Sequence, residues 1–441
     1  MTDWIVEPAG PLSGDVAVPG DKSIGHRAVL FAALTDGPCE VTGLSGGEDN
    51  LRTVAALQAL GVRVAEGVVQ GVGLDGLRAA AAPLDCGNSG TSMRLLTGLL
   101  AAQPFRSELV GDEYLHRRPM RRVAEPLGRM GARVAGRPGQ GKKAGEIYPP
   151  LVVEPAGTLR GIDYESPVAS AQVKSAILLA GLYARGRTSV REPGPSRDHT
   201  ERMLRFLGAP IATGERTTAV DPDGWDRRLR ARPLRVPGDP SSAAFLLAAA
   251  LVTGGTVRVR GACVNPTRTG FLDAIAAMGA DVALENPREE AGEPIADVVV
   301  RGGRPLRGVD LAGDLVVRAI DEVPILAVVA ARAEGTTTIR DAAELRVKES
   351  DRVATTVALL RAFGVAADER EDGLAIAGGT ALRPGDVDSH GDHRIAMAAA
   401  VAAAVAGGRV VDVANVATSF PTFARLLREL GARVSESSPA R

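Results

Sequence analysis

Residues 49–64 read D-N-L-R-T-V-A-A-L-Q-A-L-G-V-R-V. Apolar residues at three-to-four spacing predict a helix, Gly61 ends it, and Val-Arg-Val starts a short strand. The same junction of a large apolar residue, Gly and a strand-like stretch recurs at Met130-Gly131, Leu207-Gly208, Met278-Gly279, Phe363-Gly364 and Leu430-Gly431. From Leu60-Gly61 onward the intervals are 70, 77, 71, 85 and 67 residues. So regular a period predicts six copies of one structural unit.

A second series interleaves with the first: S-I-G-H-R-A-V-L-F-A-A-L, S-G-T-S-M-R-L-L-T-G-L-L, S-A-Q-V-K-S-A-I-L-L-A-G-L, S-S-A-A-F-L-L-A-A-A-L, V-P-I-L-A-V-V-A-A and D-H-R-I-A-M-A-A-A-V-A-A-A. Each opens beside Ser, Asp or Pro and becomes apolar on nearly all sides, the mark of a buried helix. Five run into a Gly-containing turn and a strand; the second reaches its strand through Gln103-Pro104. The repeat is therefore strand-helix-strand-helix-strand-strand, three copies in each half, and the fold class is α/β. Two words, A-V-P-G-D-K-S at 17–23 and R-V-P-G-D-P-S-S at 235–242, lie 218 positions apart, about half of 441 residues. They read as the two crossings between halves, with Pro-Gly suited to a hinge.

A chain this long predicts two domains. Its formal net charge of −1 and its 3% aromatic content give no electrostatic or stacking footprint for nucleic acid or an acidic membrane. The most apolar stretch, 395–406, is too short to span a bilayer. The start M-T-D-W-I-V-E-P has no secretory pattern. Cys39, Cys86 and Cys263 are odd in number and far apart, fitting neither a disulfide framework nor a zinc site. A cytoplasmic location is expected.

Polar residues gather at the first turns of the buried helices, where free N–H groups and the helix dipole favour anions. Converging first turns would form a pocket for a multiply anionic small molecule. Each motif also has a plainer reading. D-K-S-I-G-H-R could be a capped helix start with solvated charges, N-S-G-T-S-M-R at 88–94 a turn into a core helix, and R-V-K-E-S-D-R at 346–352 a solvated helix face. H-G-D-H-R could pair His390 and His393 on a metal, though capping fits better, and no metal is expected. G-V-G-L-D-G at 71–76 matches a dinucleotide motif, but Pro83 follows after a few Ala, so no helix receives a pyrophosphate there. P-G-D-K-S is not a phosphate-binding loop, and no cofactor is expected.

Eleven words in order, P-G-D-K-S-I-G-H-R, N-S-G-T-S-M-R, R-R-P-M, S-A-Q-V-K-S-A, S-R-D-H-T-E, P-G-D-P-S-S, N-P-T-R-T-G, I-D-E-V-P, R-V-K-E-S-D-R, D-H-R-I-A-M and A-T-S-F-P, resemble the 5-enolpyruvylshikimate-3-phosphate synthase family over the whole chain. S-A-Q-V-K, R-D-H-T-E and N-P-T-R are similar to its glyphosate-tolerant branch. The resemblance implies a two-domain inside-out α/β barrel of six βαβαββ repeats. Domain bounds would be 21–235 for one domain and 1–20 plus 236–441 for the other, with crossings near 19–20 and 236–238. It also implies a monomer that joins phosphoenolpyruvate to the 5-hydroxyl of shikimate 3-phosphate, with closure of the halves on the substrates.

By the same resemblance Asp321 is the hydroxyl base, Glu349 the proton shuttle, and Lys22 a general acid that also grips phosphoenolpyruvate. Gly90, Arg118, Gln172, Arg352 and Arg394 complete the phosphoenolpyruvate site; guanidinium forks suit carboxylate and phosphate. Lys22, Ser23, Arg27, Ser170, Gln172, Arg197, Asp321 and Lys348 hold shikimate 3-phosphate. The sensitive branch carries a Lys where Thr418-Ser419 stands here. Two other readings remain open: a sister transferase acting on UDP-N-acetylglucosamine, whose loop cysteine is missing from G-D-E-Y-L-H-R-R-P, and a non-catalytic RNA-binding repeat protein.

Overall fold

A computed structural model describes residues 2–437. Its strands form six four-stranded sheets with one shared plan. In one, Asp163–Glu165 pairs in parallel with Thr188–Arg191, which pairs antiparallel with Thr217–Val220, itself antiparallel to Ile211–Thr213. The Ala171–Gly181 helix makes the parallel crossover, and the His199–Phe206 helix joins the second strand to the third. This is the βαβαββ unit expected from the two interleaved series.

All six junction glycines, Gly61, Gly131, Gly208, Gly279, Gly364 and Gly431, have φ between +79° and +109°. Each stands directly after the C-cap residue of an outer helix, where a left-handed residue turns the chain into the next strand and Cβ would add strain. The G-V-G-L-D-G decoy lies in a helix-free stretch covering 71–83.

The sheets are completed by distant strands. Leu234–Arg235 pairs in parallel with Pro38–Thr42, and Gly14–Val16 with Thr256–Cys263. Asp3–Glu7 runs antiparallel between Gly408–Val411 and Arg433–Ser437, so a strand from the start of the chain lies inside a sheet built from its end.

Two compact units result. The first comprises Lys22–Val236 with Glu290–Glu293; the second comprises the residues up to Asp21, Pro237–Glu289 and those from Pro294 onward. In the second, the Pro240–Thr253, Val323–Ala331 and His393–Ala406 helices are buried along nearly their whole length, and their many alanines let backbones pack closely. Trp4 of the first strand packs on Phe423 with ring centroids 5.6 Å apart, and Phe423 also meets Phe245 and Phe420. In the first unit, the Lys22–Ala33, Gly90–Leu100 and Ala171–Gly181 helices are likewise buried. Their N-terminal turns carry the polar motifs. Among the described residues no helix is long and apolar enough to cross a membrane.

Candidate active site

In each unit the expected site residues are grouped at helix starts. In the first unit, Lys22 opens its helix with Nζ 2.9 Å from Asp49 Oδ2, and Asn50 Nδ2 donates to the Lys22 carbonyl at 3.0 Å. The neighbouring outer helix, Glu48–Ala59, thus holds both ends of the lysine. One turn on, Arg27 is buried. Its Nε donates to Thr200 Oγ1 at 2.7 Å, Nη2 to Ser175 Oγ at 2.8 Å and Nη1 to the Ser23 carbonyl at 2.9 Å. Arg197 Nη1 donates to Ser23 Oγ at 3.2 Å. The solvated-charge reading of D-K-S-I-G-H-R is therefore wrong for Arg27, whose charge ties three elements together.

The Gly90–Leu100 and Ala171–Gly181 helices begin side by side. Gln172 Oε1 accepts from Arg94 Nη1 at 2.6 Å, and its Nε2 donates to Thr91 Oγ1 at 2.9 Å. Arg118 Nη2 donates to Asn88 Oδ1 at 2.7 Å. A Cβ on Gly90 would sit 2.8 Å from Arg94 Nη1 and 3.2 Å from Arg118 Nη1, so glycine keeps room for two guanidinium groups. Ser170 caps its helix, and its own N–H donates to Glu192 Oε1 at 2.9 Å.

Lys174 of S-A-Q-V-K belongs to neither expected substrate site. Its ammonium is buried between Glu192 at 2.8 Å and Glu201 at 2.7 Å. Burial alone would push the lysine down, and the two carboxylates outweigh it and hold the ammonium charged. The signal available in the sequence was a lone lysine in a helix otherwise apolar on all sides.

In the second unit the sites fall on three neighbouring helix starts. R-V-K-E-S-D-R does not form a solvated helix face: Ala343–Val347 is a 3-10 turn, the chain breaks at Lys348, and a new helix starts at Arg352 with Asp351 as its cap. Arg352 is buried. Its Nη2 donates to Glu349 Oε2 at 2.6 Å and its Nε to Asp392 Oδ2 at 2.8 Å, while Nη1 lies 3.4 Å from Asp321 Oδ1. Burial opposes its charge, and Asp392 with Glu349 more than restores it. Burial would likewise raise the Asp392 carboxyl, but Arg352 holds it below the usual carboxylate range. Asp392 also caps the His393–Ala406 helix through Arg394 N at 2.9 Å.

Arg394 Nη1 donates to the Asp321 carbonyl at 3.1 Å, and its Nη2 lies 4.0 Å from the Asp321 carboxylate. Lys348 Nζ is 3.9 Å from Asp321 and 3.8 Å from Glu344, beyond hydrogen-bond reach of both. Burial pulls this ammonium below the ordinary lysine value, although Asp321 and Glu344 oppose the shift. An anionic ligand would relieve that penalty. Asp49 and Glu192 carry no local sequence signal, while Glu201 and Asp392 lie in the words S-R-D-H-T-E and D-H-R-I-A-M without their cation partners being legible there.

His390 is exposed and His393 is buried at a helix start. Among the described residues no group of three His, Cys, Asp or Glu side chains could hold a metal. Thr418 ends a 3-10 turn and bonds its own turn through the Asn415 carbonyl at 2.6 Å.

Two units of three repeats with cations at their inner helix starts are an architecture for handling small, multiply anionic molecules. The family described as EPSP synthase (3-phosphoshikimate 1-carboxyvinyltransferase) matches residues 6–427. A 3-phosphoshikimate 1-carboxyvinyltransferase from Geobacter metallireducens is 51% identical over 98% of this chain and 100% of its own length. One from Xanthomonas campestris is 51% identical over 97% of each. The solved EPSP synthase of Acinetobacter baumannii superimposes with a TM-score of 0.87 at 43% identity, covering 99% of this chain and all of that one. The chain belongs to the EPSP synthase family. Agreement over the full length sets aside both the sister transferase and the RNA-binding reading.

Proposed function

We propose that the two clusters carry out the family's reaction in a defined division of labour. The 5-hydroxyl oxygen of shikimate 3-phosphate bonds to C2 of phosphoenolpyruvate while C3 gains a proton. The resulting tetrahedral adduct then loses a C3 proton and its phosphate, leaving the enolpyruvyl ether. Asp321 takes the hydroxyl proton, Glu349 serves the methylene carbon, and Lys22 delivers a proton while neutralising phosphoenolpyruvate. Gly90, Arg118, Gln172, Arg352 and Arg394 accommodate phosphoenolpyruvate. Lys22, Ser23, Ser170, Gln172, Arg197, Asp321 and Lys348 hold shikimate 3-phosphate, and Arg27 serves that site by fixing Ser23.

The observation that carries the assignment is Arg352. It hydrogen-bonds the Glu349 carboxylate and lies beside that of Asp321, keeping two candidate proton carriers around one fixed cation. Phosphate release is expected only when both substrates are present, and it should persist in EDTA. Release from phosphoenolpyruvate alone, or loss on chelation with recovery on adding a divalent ion, would overturn this reading.

Glyphosate sensitivity should be intermediate. S-A-Q-V-K, R-D-H-T-E, N-P-T-R and the Thr418 position support tolerance, whereas Gly90 supports sensitivity, since tolerance in that branch often goes with alanine there. Gly90→Ala would push on the Arg94 and Arg118 guanidinium groups. It is expected to raise the glyphosate inhibition constant at least about tenfold, or ~1.4 kcal/mol, with a much smaller change in KM for phosphoenolpyruvate. Equal weakening of both ligands counts against the idea. The protein acts as a monomer in the cytoplasm, without nucleic acid or membrane. Support comes from its three buried free cysteines, its near-zero net charge, and the origin of every named group in one chain.

A further inference from the structure

Arg268, from N-P-T-R-T-G, has no part in the chemistry above, yet it is almost wholly buried in the second unit. Its Nη1 donates to Asp21 Oδ2 at 2.6 Å and its Nη2 to Ser241 Oγ at 2.8 Å. Nη2 also lies 3.4 Å from Asp239 Oδ1 and 3.6 Å from Glu322 Oε1. Ser241 Oγ in turn donates to Glu322 Oε1. Asp21 and Asp239 are the acids of the two V-P-G-D words, and these words are bonded to each other. Asp21 N donates to the Pro237 carbonyl at 2.7 Å, and Asp239 N to the Pro19 carbonyl at 2.9 Å. Arg268 is the centre of this clasp.

One guanidinium facing three buried carboxylates is a poor stabilising device. Desolvation of such charges commonly cancels their attraction, and apolar side chains of similar volume often serve stability as well or better. The cluster is also imperfectly satisfied: Arg268 Nε and Glu322 Oε2 are buried without a hydrogen-bond partner among the described residues. Burial and the neighbouring Asp21 push the Asp239 carboxyl up. What the cluster does supply is position. Asp21 immediately precedes Lys22, and Glu322 immediately follows Asp321.

We propose that Arg268 is a positioning residue for the reaction: by fixing the carboxylates of Asp21 and Glu322 it sets the backbone that presents Lys22 and the backbone that presents Asp321. The inference rests on the roles given to Lys22 and Asp321 above. A displacement of about 1 Å in a reacting group can cost on the order of a hundredfold in rate, so a fork that fixes two backbones at once has a kinetic use. Lysine would keep the charge, but a single ammonium does not reproduce the two-pronged geometry.

The test is Arg268→Lys, with kcat, shikimate 3-phosphate affinity and stoichiometry by calorimetry, and Tm. Expected are one shikimate 3-phosphate bound per chain, an affinity within about threefold of the parent, and kcat lowered at least about tenfold. A fall in Tm or in the fraction of chains that bind, with unchanged kcat per binding chain, would mean a merely structural clasp and overturn the proposal. Should Arg268→Lys fail to fold, Glu322→Gln keeps the shape and the Ser241 contact and must show the same split; unchanged kcat there overturns it too. Asp321→Asn separates the two levels. Full turnover in Asp321→Asn sinks the assignment of roles, whereas a slow Asp321→Asn beside fully active Arg268→Lys and Glu322→Gln sinks this inference alone.

Discussion

Asp321 and Glu349 sit beside the same guanidinium, yet their proposed tasks are proton transfers, and groups that only move protons should matter little to ground-state binding. Asp321→Asn and Glu349→Gln are therefore expected to lower turnover at least about a hundredfold while shikimate 3-phosphate affinity, measured by calorimetry, stays nearly intact. Arg197→Ala should do the reverse, weakening that affinity by about 1.5–3 kcal/mol as a charge-assisted hydrogen bond is lost. Equal effects of all three on turnover and affinity would show the roles to be misassigned. At this scale the motif words contained most of the cations and several of their acids, Glu201, Glu349 and Asp392 among them, but not which acid pairs with which cation. Asp49 is 27 positions from Lys22, and Asp392, though it opens D-H-R-I-A-M, is 40 from Arg352. A contact between distant residues leaves no periodicity and no local spacing to read.

Elements were more legible. A helix that ends on a left-handed glycine and passes straight into a strand announces itself within a few residues, and six such junctions disclosed the repeat before any contact was known. What stayed hidden was which strand completes which sheet. Leu234–Arg235 and Gly14–Val16 are too short for pattern, and their partners lie hundreds of residues away. The glycines also separate two physical reasons for the same residue. A Cβ at Gly131 meets nothing within 4 Å, so Gly131→Ala carries only the backbone penalty of a left-handed residue, about 1–2 kcal/mol. Gly98 has an ordinary helical backbone, but there a Cβ would lie 2.4 Å from the Ala176 carbonyl oxygen of the neighbouring helix. Gly98→Ala must push two buried helices apart, an overpacking cost of about 1–3 kcal/mol or more that also disturbs the paired starts of those helices. Thermal denaturation and turnover together should show Gly131→Ala less stable with normal kcat, and Gly98→Ala impaired in both. A catalytically normal Gly98→Ala would mean the helices are free to separate.

For the whole molecule, the proposed roles draw on groups from both units, and on that proposal substrate binding is expected to draw the units toward the same pair of small molecules. Small-angle scattering should give a smaller radius of gyration with shikimate 3-phosphate plus glyphosate than without, and an unchanged radius counts against that expectation. The Pro-Gly-Asp words suggested flexible crossings, but their reciprocal backbone bonds and shared arginine make them a fixed clasp within the second unit. The placement of Asp3–Glu7 between Gly408–Val411 and Arg433–Ser437 bears on how the protein is made. A ribosome delivers that strand hundreds of residues before Gly408–Val411 and Arg433–Ser437, so it emerges long before either can pair with it. The first unit, whose main segment ends at Val236, has nearly all of its chain available once that residue has emerged. The second must wait for Arg433–Ser437 to emerge. During that interval the emerged segment carries Trp4 and two unpaired strands, apolar surface and open strand edges that a chaperone can hold.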